Sequence, residues 1–304
     1  METFQTRFRR AFDLKDPDVE EWIDARFHRP VAAALSALLL PTDVSSNQVT
    51  IGSMAFGLWG ALCLYAGYFL PAIPYAPAVI MAAFLLFVSV ILDCADGQLA
   101  RARGSGSMTG RMIDGVADNV VVIASYYTIA FILHSEWGLW GLVAAVVGGL
   151  SMSLRTMMYD NYRAVYVKHV EDKGAEEGQP SRRQAAKAAM RDARLQGDTF
   201  DAYLLNIYLG WLWLQRRFPG ADDDSTESVP ELSEQARREY RAEHASTMRL
   251  ATWLGLGTHM VLFYGLIFAS AFWIDALMLL QFIFIVPGGL LMAVCAWRGR
   301  QMNL

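Results

Sequence analysis

The sequence predicts an all-α integral membrane protein with six transmembrane helices and an N-terminal amphipathic juxtamembrane helix. Its composition is the first observation: of 304 residues, 54% are hydrophobic and 18% are charged, which is typical of a membrane protein with polar appendages. The second is a set of apolar segments that are each long enough to cross a bilayer. These predicted spans are residues 49–70, 76–99, 110–133, 138–159, 248–271 and 274–296.

Residues 1–48 are predicted to form a cytoplasmic N-terminus, in which residues 18–40 form a helix on the membrane surface. The start of the chain is charged and lacks an apolar core, so it does not predict a signal peptide. Pro30 is expected to kink or divide the helix. Its pattern favours an interfacial amphipathic helix, with a soluble helix packed on its own protein as the alternative. Hydrophobic residues recur in it at helical spacing: Trp22, Ile23, Phe27, Val31, Leu35 and Leu38.

The placement of Lys and Arg, the third observation, predicts the topology. These residues precede span 1, lie between spans 2 and 3, and follow spans 4 and 6, whereas the loops after spans 1, 3 and 5 carry none. Because positively charged loops stay on the cytoplasmic side, we expect both termini to face the cytoplasm from the cell membrane. The chain then divides into catalytic spans 1–4 (49–160), a polar cytoplasmic insertion (161–247), and spans 5–6 with the C-terminus (248–304).

The insertion contains one apolar stretch, YLLNIYLGWLWLQRRF at residues 203–218. It is short for a crossing, and a crossing there would place Arg298 and Arg300 on the wrong side of the membrane. We therefore predict a short interfacial or buried helix. The charged segments around it are compatible with a cytoplasmic lid, a partner site or a disordered loop.

Acidic residues lie where spans 2 and 3 approach the cytoplasm: Asp93, Asp96, Asp114 and Asp118. On helices, each pair lies one turn apart on one face, and residues 104–107 form a turn between the pairs. Two antiparallel helices would therefore present paired carboxylates to each other. Carboxylates beside a bilayer are costly unless cations compensate them, and an all-oxygen site suits hard divalent ions such as Mg²⁺ or Mn²⁺.

The complete pattern is D-x2-D-G-x2-A-R-x8-G-x3-D-x3-D, and it resembles the signature of the CDP-alcohol phosphotransferases, also called CDP-alcohol phosphatidyltransferases. All of the defining positions match: Asp93, Asp96, Gly97, Ala100, Arg101, Gly110, Asp114 and Asp118. Six spans preceded by a juxtamembrane helix also resemble that family. The resemblance implies that an alcohol attacks a CDP-linked phosphorus and releases CMP. It also implies that the first three aspartates bind metal and that Asp118 is a metal ligand, the general base, or both.

Other residues of this pattern suit a nucleotide site. Gly97, Ala100 and Gly110 leave room for close approach of the CDP group, and Arg101 can bind a phosphate through its forked guanidinium. The resemblance implicates Arg101, Asp114 and Asp118 in catalysis. Since neither a Ser-His nor a Cys-His arrangement adjoins the pattern, we expect a single in-line displacement.

A second stretch, SSNQVT at residues 45–50, resembles the family's Pro-Asn-x-(Ile/Val)-Thr segment, with Ser46 in place of the usual proline. Asn47 and Thr50 are expected either to reach the nucleotide or to cap span 1.

Isolated polar residues in other apolar segments have two interpretations each. Arg155 and Arg163 either bind a phosphate of the acceptor or a lipid, or extend to the headgroups. His259 either makes a polar contact between helices or lies at the acceptor pocket. The cysteines form no metal-ligand cluster, and Cys94 is expected to face away from the aspartates.

The favoured function is a metal-dependent transferase of phospholipid biosynthesis that moves a phosphatidyl or phospho-alcohol group from a CDP-linked donor, preferably CDP-diacylglycerol, to an alcohol acceptor. The alternative is a soluble CDP-alcohol donor with a lipid or polyol-phosphate acceptor. An intramembrane prenyltransferase and a divalent-cation transporter are less favoured, because neither needs Arg101 beside the aspartates. The resemblance implies a homodimer. The chain has no basic stripe with aromatic residues, so nucleic acid is not an expected partner.

Overall fold

A computed structural model describes residues 2–12, 16–105, 108–170, 182–197 and 233–300, with isolated positions between 199 and 213. Every regular element in these residues is helical. Ten of the 16 residues of the predicted helix at 203–218 lie outside them. The helices are α1 (Phe4–Ala11), α2 (Arg29–Leu39), α3 (Ser46–Phe69), α4 (Tyr75–Arg103), α5 (Met108–Val170), α6 (Arg182–Gln196), α7 (Glu234–Ala251), α8 (Leu256–Ser270) and α9 (Ala276–Gly299).

In the described chain, five helical segments are long and apolar enough to cross a membrane, which fits a multi-pass integral membrane protein. They are Ser46–Phe69, Tyr75–Arg103, Asp114–Val170, Glu234–Ser270 and Ala276–Gly299. Residues 248–270 of the predicted span 248–271 lie within the segment Glu234–Ser270, in which a 3-10 turn at Thr252–Leu254 separates α7 from α8.

Helix α5 covers the third and fourth predicted spans and reverses direction at Gly138. The φ of 58° and ψ of −141° at Gly138 suit a residue without a Cβ. A Cβ on Gly141 would lie 2.0 Å from the Leu133 carbonyl oxygen, and a Cβ on Gly149 would lie 3.2 Å from the Tyr126 ring. A straight helix would separate these pairs by roughly 12 and 35 Å. Two antiparallel arms therefore make up α5.

The chain's internal contacts divide it into two units. The first contains residues 1–15, 21–154 and 256–290. Its largest apolar core includes fully buried side chains such as Leu64, Leu86 and Phe263. A smaller core packs α2 and the start of α3 against the aspartate-bearing end of α4, with Ala32, Val49 and Leu99 at its centre.

Polar contacts set how α3 and α4 pack within this unit. Ser53 Oγ donates to the Ser89 carbonyl, and Ser89 Oγ donates to the Ser53 carbonyl, both at 2.8 Å. A Cβ on Gly57 would lie 2.5 Å from Val121, so this small residue lets α3 approach α5 as well. Buried hydrogen bonds of this kind contribute about 1 kcal/mol each, and they hold the N-terminal part of α3 beside α4.

The helix predicted at 18–40 forms over residues 22–39. Its expected interruption at Pro30 is a π-helical stretch at Asp24–His28, in which the Arg29 N–H bonds to the Asp24 carbonyl five residues back. A proline in a regular α-helix clashes with the carbonyl four residues back, and the π turn relieves that clash. On its exposed face lie most of the residues of the predicted apolar stripe: Trp22, Phe27, Val31 and Leu38.

The second unit contains residues 16–20, 155–255 and 291–304. Its buried side chains include Tyr159, Tyr162, Tyr166 and Met248. At its centre lies Asp18, of which 1% is exposed.

Three donors surround the Asp18 carboxylate. The Nε atoms of Arg241 and Arg249 and the hydroxyl of Tyr166 each donate to it at 2.8 Å. Arg241 also binds the Asp16 carboxylate at 2.7 Å. Burial raises the pKa of Asp18. The hydrogen bonds from Arg249, Tyr166 and Arg241 together lower this pKa by more than burial raises it, so it lies below its ordinary value.

Candidate active site

The predicted aspartates lie on the last turns of α4 and the first turns of α5. Gly104 ends α4 in the left-handed conformation, with φ 64°, and the Ser105 N–H bonds back to the Ala100 carbonyl at 3.0 Å. This is a common way to end a helix, because glycine adopts positive φ without strain. The predicted turn between the two acidic pairs therefore begins at Gly104.

The structure brings three of the aspartates together. One carboxylate oxygen from each of Asp93, Asp114 and Asp118 lies within 4.8 Å of the others. At that distance each ionised pair repels by roughly 3 kcal/mol for an effective dielectric constant near 20. In addition, Asp114 Oδ1 is buried and has no hydrogen-bond partner among the described residues. An all-oxygen donor set with an unsatisfied carboxylate oxygen fits a hard divalent cation.

Asp96, the fourth predicted ligand, is held differently. It is buried and accepts a hydrogen bond from the Thr50 hydroxyl on α3. The Thr50 hydroxyl also lies 3.1 Å from the Ser46 carbonyl oxygen, so its single proton is shared between these two acceptors. Asp96 does not belong to the group within 4.8 Å, so its role as a metal ligand stays a prediction.

The structure separates the two interpretations of residues 45–50. Ser45 caps α3 through a capping box, in which Gln48 bonds back to the Ser45 N–H at 2.9 Å. Thr50 is therefore not the cap, and its hydroxyl contacts Asp96 instead. Asn47 is exposed in the first turn of α3.

The remaining predicted site residues lie around this cluster. Arg101 is exposed at the end of α4, and a Cβ on Gly97 would lie 3.3 Å from its Nη1 atom. The guanidinium therefore folds back over Gly97, one turn away. Ala100 is partly exposed beside it, and Gly110 lies in the first turn of α5.

Sequence reasoning missed Arg103, which organises the loop before α3. Its guanidinium donates to the carbonyls of Val44 at 2.5 Å, Leu39 at 2.8 Å and Thr42 at 2.8 Å. The Leu39 carbonyl lies at the C-terminal end of α2, where a helix favours a cation. In the sequence, the signal for this role is the presence of a basic residue, Arg103, near the predicted end of a helix.

A cavity of about 80 Å³ adjoins the aspartates. Asp93 and Asp118 line it together with Asp24 of the π-helical stretch. Cys94 also lines it, so the expectation that Cys94 faces away from the aspartates is wrong. The reason is that Asp93 and the adjacent Cys94 both border the space between α4, α5 and α8.

The comparison with known proteins decides the family. A sequence profile described as CDP-alcohol phosphatidyltransferase matches residues 44–190. Residues 44–190 belong to the CDP-alcohol phosphatidyltransferase family. This range contains the three clustered carboxylates, Asp96, Thr50 and Arg101. The family predicted from the aspartate pattern is therefore confirmed.

One curated relative is the bifunctional IPC transferase and DIPP synthase of Aquifex aeolicus (strain VF5). It is 29% identical over 139 residues, which is 45% of this chain and 30% of that protein. The chain thus spans less than a third of that relative's length. The matched family and this relative are both named for transferase activity, so the domain is that of a transferase.

Removing the Thr50 hydroxyl tests whether it orients Asp96. Thr50→Val is expected to lower CMP release roughly 10- to 100-fold, because an unsatisfied buried carboxylate costs about 1–3 kcal/mol. Thr50→Ser, which keeps the hydroxyl, is the matched control and should stay within about threefold of wild type. Equal activities for the two variants would show that the contact does not matter for turnover.

Proposed function

We propose that this chain is an integral membrane, divalent-metal-dependent transferase. It moves a phosphatidyl or phospho-alcohol group from a CDP-linked donor to an alcohol acceptor and releases CMP. The observation that supports this most is the cluster of Asp93, Asp114 and Asp118 inside the family's domain. CDP-diacylglycerol is the favoured donor, and a soluble CDP-alcohol with a lipid or polyol-phosphate acceptor is the alternative.

The carboxylates and Arg101 have different roles in the proposed reaction. Asp93, Asp114 and Asp118 would hold Mg²⁺ or Mn²⁺, with Asp96 beside them, and a cation held there would supply positive charge to neutralise the diphosphate. Arg101 binds a phosphate oxygen at the open end of α4. Gly97, Ala100 and Gly110 have no side chain or a small one, which leaves room for the nucleotide to approach the backbone.

Asp118 accepts the proton of the acceptor hydroxyl. The alcohol oxygen then forms a bond to the phosphorus of the substituent phosphate, while the bond from that phosphorus to the CMP oxygen breaks. CMP leaves with the electron pair of the broken bond, so the reaction needs neither an oxidant nor a covalent enzyme intermediate. Asp118 suits this role because it lies in the cluster and also borders the cavity.

The proposal includes an arrangement of the helices in the membrane. The two arms of α5 cross separately, which gives six crossings in total, and both termini and the aspartates face the cytoplasm. The N-terminal helix lies in the interface between lipid and water, and the exposure of Trp22, Phe27 and Leu38 supports this position. The protein acts as a homodimer, as the resemblance implies.

CMP release by purified protein tests the proposal. The assay uses detergent-solubilised protein with Mg²⁺, CDP-diacylglycerol or soluble CDP-alcohols as donors, and a panel of acceptors. Asp93→Ala is the inactive control, and Asp43→Asn is the matched control because Asp43 is exposed and lies outside the cluster. Acceptor-dependent CMP from one donor, absent only in Asp93→Ala, is the expected result. Divalent-ion binding without CMP from any donor would contradict the proposal and favour a cation transporter or a prenyltransferase.

The role of Asp118 as the base has its own test. Asp118→Asn is expected to lower kcat by roughly 100-fold or more, because an amide cannot take the proton. Binding of CMP, measured by titration calorimetry with Mg²⁺, should persist. Near-normal turnover of Asp118→Asn would remove Asp118 from this role.

A further inference from the structure

A hydrogen-bonded chain of three side chains ends at the cavity beside the aspartates. Asp24 Oδ1 lies 2.7 Å from His28 Nδ1, and His28 Nε2 lies 3.1 Å from the Tyr264 hydroxyl. The His28 side chain is fully buried. A neutral imidazole satisfies both contacts, with Nδ1–H donating to Asp24 and Nε2 accepting from Tyr264. His28 and Tyr264 therefore fix the orientation of the Asp24 carboxylate.

The start of α8 is shaped to admit that carboxylate. A Cβ on Gly257 would lie 2.1 Å from Asp24 Oδ1 and 2.8 Å from Oδ2, so any larger residue would displace Asp24. The N-terminus of a helix favours a negative charge. The Thr258 N–H bonds to Glu21 at 3.0 Å, and the hydrogen bond that the structure gives the Asp24 side chain goes to His28. Its bond to His28 uses Oδ1 and leaves Oδ2 able to accept from a ligand.

The cavity itself combines charge with apolar walls. Among the described residues that line it, Asp24, Asp93 and Asp118 are acidic and none is Lys, Arg or His. Most of the others are apolar, such as Val90, Val121 and Met260. Its volume of about 80 Å³ is roughly half that of a cavity that holds benzene, which is room for a small alcohol. With a divalent cation held by Asp93 and Asp118, Asp24 is the acidic residue of this lining that no cation compensates, so it would repel a phosphate and accept a hydrogen bond from a hydroxyl or ammonium group.

We propose that Asp24 is a specificity-determining residue that binds the acceptor, and that the acceptor is a small unphosphorylated alcohol with a second hydroxyl or an ammonium group. This inference rests on the proposed transferase function. The reacting hydroxyl lies at Asp118, and the second polar group donates to Asp24 in the same cavity. His28 and Tyr264 are positioning residues that act through Asp24.

Steady-state kinetics with varied acceptor and varied donor test this assignment. The panel contains glycerol, serine and ethanolamine as unphosphorylated acceptors, and glycerol 3-phosphate and inositol phosphate as phosphorylated ones. Wild type is expected to use an unphosphorylated acceptor. Asp24→Asn should raise the KM of that acceptor at least tenfold while the donor KM changes less than twofold. Asp43→Asn is the matched control and should leave both KM values unchanged.

Tyr264→Phe is the second variant, because it keeps the carboxylate and removes only the hydroxyl that orients His28. It should raise the acceptor KM severalfold with an unchanged donor KM, even if Asp24→Asn fails to fold. Exclusive use of a phosphorylated acceptor, or an acceptor KM that stays at the wild-type value in the folded variants, would overturn the inference while leaving the proposed function intact. No CMP from wild type with any donor and acceptor would instead overturn the proposed function.

Discussion

Asp93→Asn is expected to abolish CMP release, with a loss of at least about 1000-fold, and to remove most of the stabilisation that Mg²⁺ provides. Asp93 contributes one of three carboxylates that lie within 4.8 Å of each other. Its removal leaves two acidic ligands, so the affinity for a hard cation falls steeply.

When no metal is bound, the same substitution should instead raise the stability of the fold. It removes two of the three repulsive pairs in the cluster, so the metal-free variant is expected to unfold at a higher temperature than metal-free wild type. Thermal unfolding with chelator and with increasing Mg²⁺ measures both effects, because a ligand that binds only the folded state raises the Tm with its concentration. Asp43→Asn, at an exposed position, is the control.

Two results would contradict this account of the cluster. One is an Asp93→Asn variant whose Tm still rises with Mg²⁺ as in wild type. The other is a metal-free Tm that falls, which would mean that Asp93 stabilises the fold by a contact other than metal binding. Asp96→Asn belongs in the same series, since Asp96 is hydrogen-bonded to Thr50 and its share in metal binding is a prediction.

Asp18→Asn is expected to lower the free energy of unfolding by about 2–3 kcal/mol. Asp18 is buried, and it accepts hydrogen bonds from Arg241, Arg249 and Tyr166. An amide cannot accept all three as well as a carboxylate. The estimate stays below that for a fully buried ion pair because both arginines are partly exposed.

The pH dependence of this contribution has a definite sign. The pKa of Asp18 is lower in the folded protein than its ordinary value, so the carboxylate contributes stability above the unfolded-state pKa near 4. That contribution disappears as the pH falls through the folded-state pKa. The difference in unfolding free energy between wild type and Asp18→Asn should therefore be full at pH 7 and shrink below about pH 4.

Denaturation in detergent, followed by tryptophan fluorescence, measures this difference. Glu234→Gln is the matched control, because Glu234 pairs with Arg238 while both side chains are exposed. Its effect should stay below about 1 kcal/mol. Equal effects of the two substitutions, or a difference that does not change with pH, would show that Asp18 does not hold the second unit together.

The sequence by itself determined the helices, the membrane character and the family. Apolar length and the spacing of acidic residues are local properties, and local backbone geometry converts them into helices with carboxylates on one face. This is why Asp93, Asp114 and Asp118 could be placed together before the structure was known. The reversal at Gly138 follows in part from the same apolar lengths, since two adjacent spans require a turn.

Only the tertiary structure decided which distant residues meet. Asp18 contacts Arg241 across 223 positions of the chain, and His28 contacts Tyr264 across 236. Thr50 meets Asp96 because α3 and α4 pack through the paired bonds of Ser53 and Ser89, and no periodicity within either helix specifies that alignment. Such contacts depend on the relative positions of whole helices, which follow from the packing of all their side chains together.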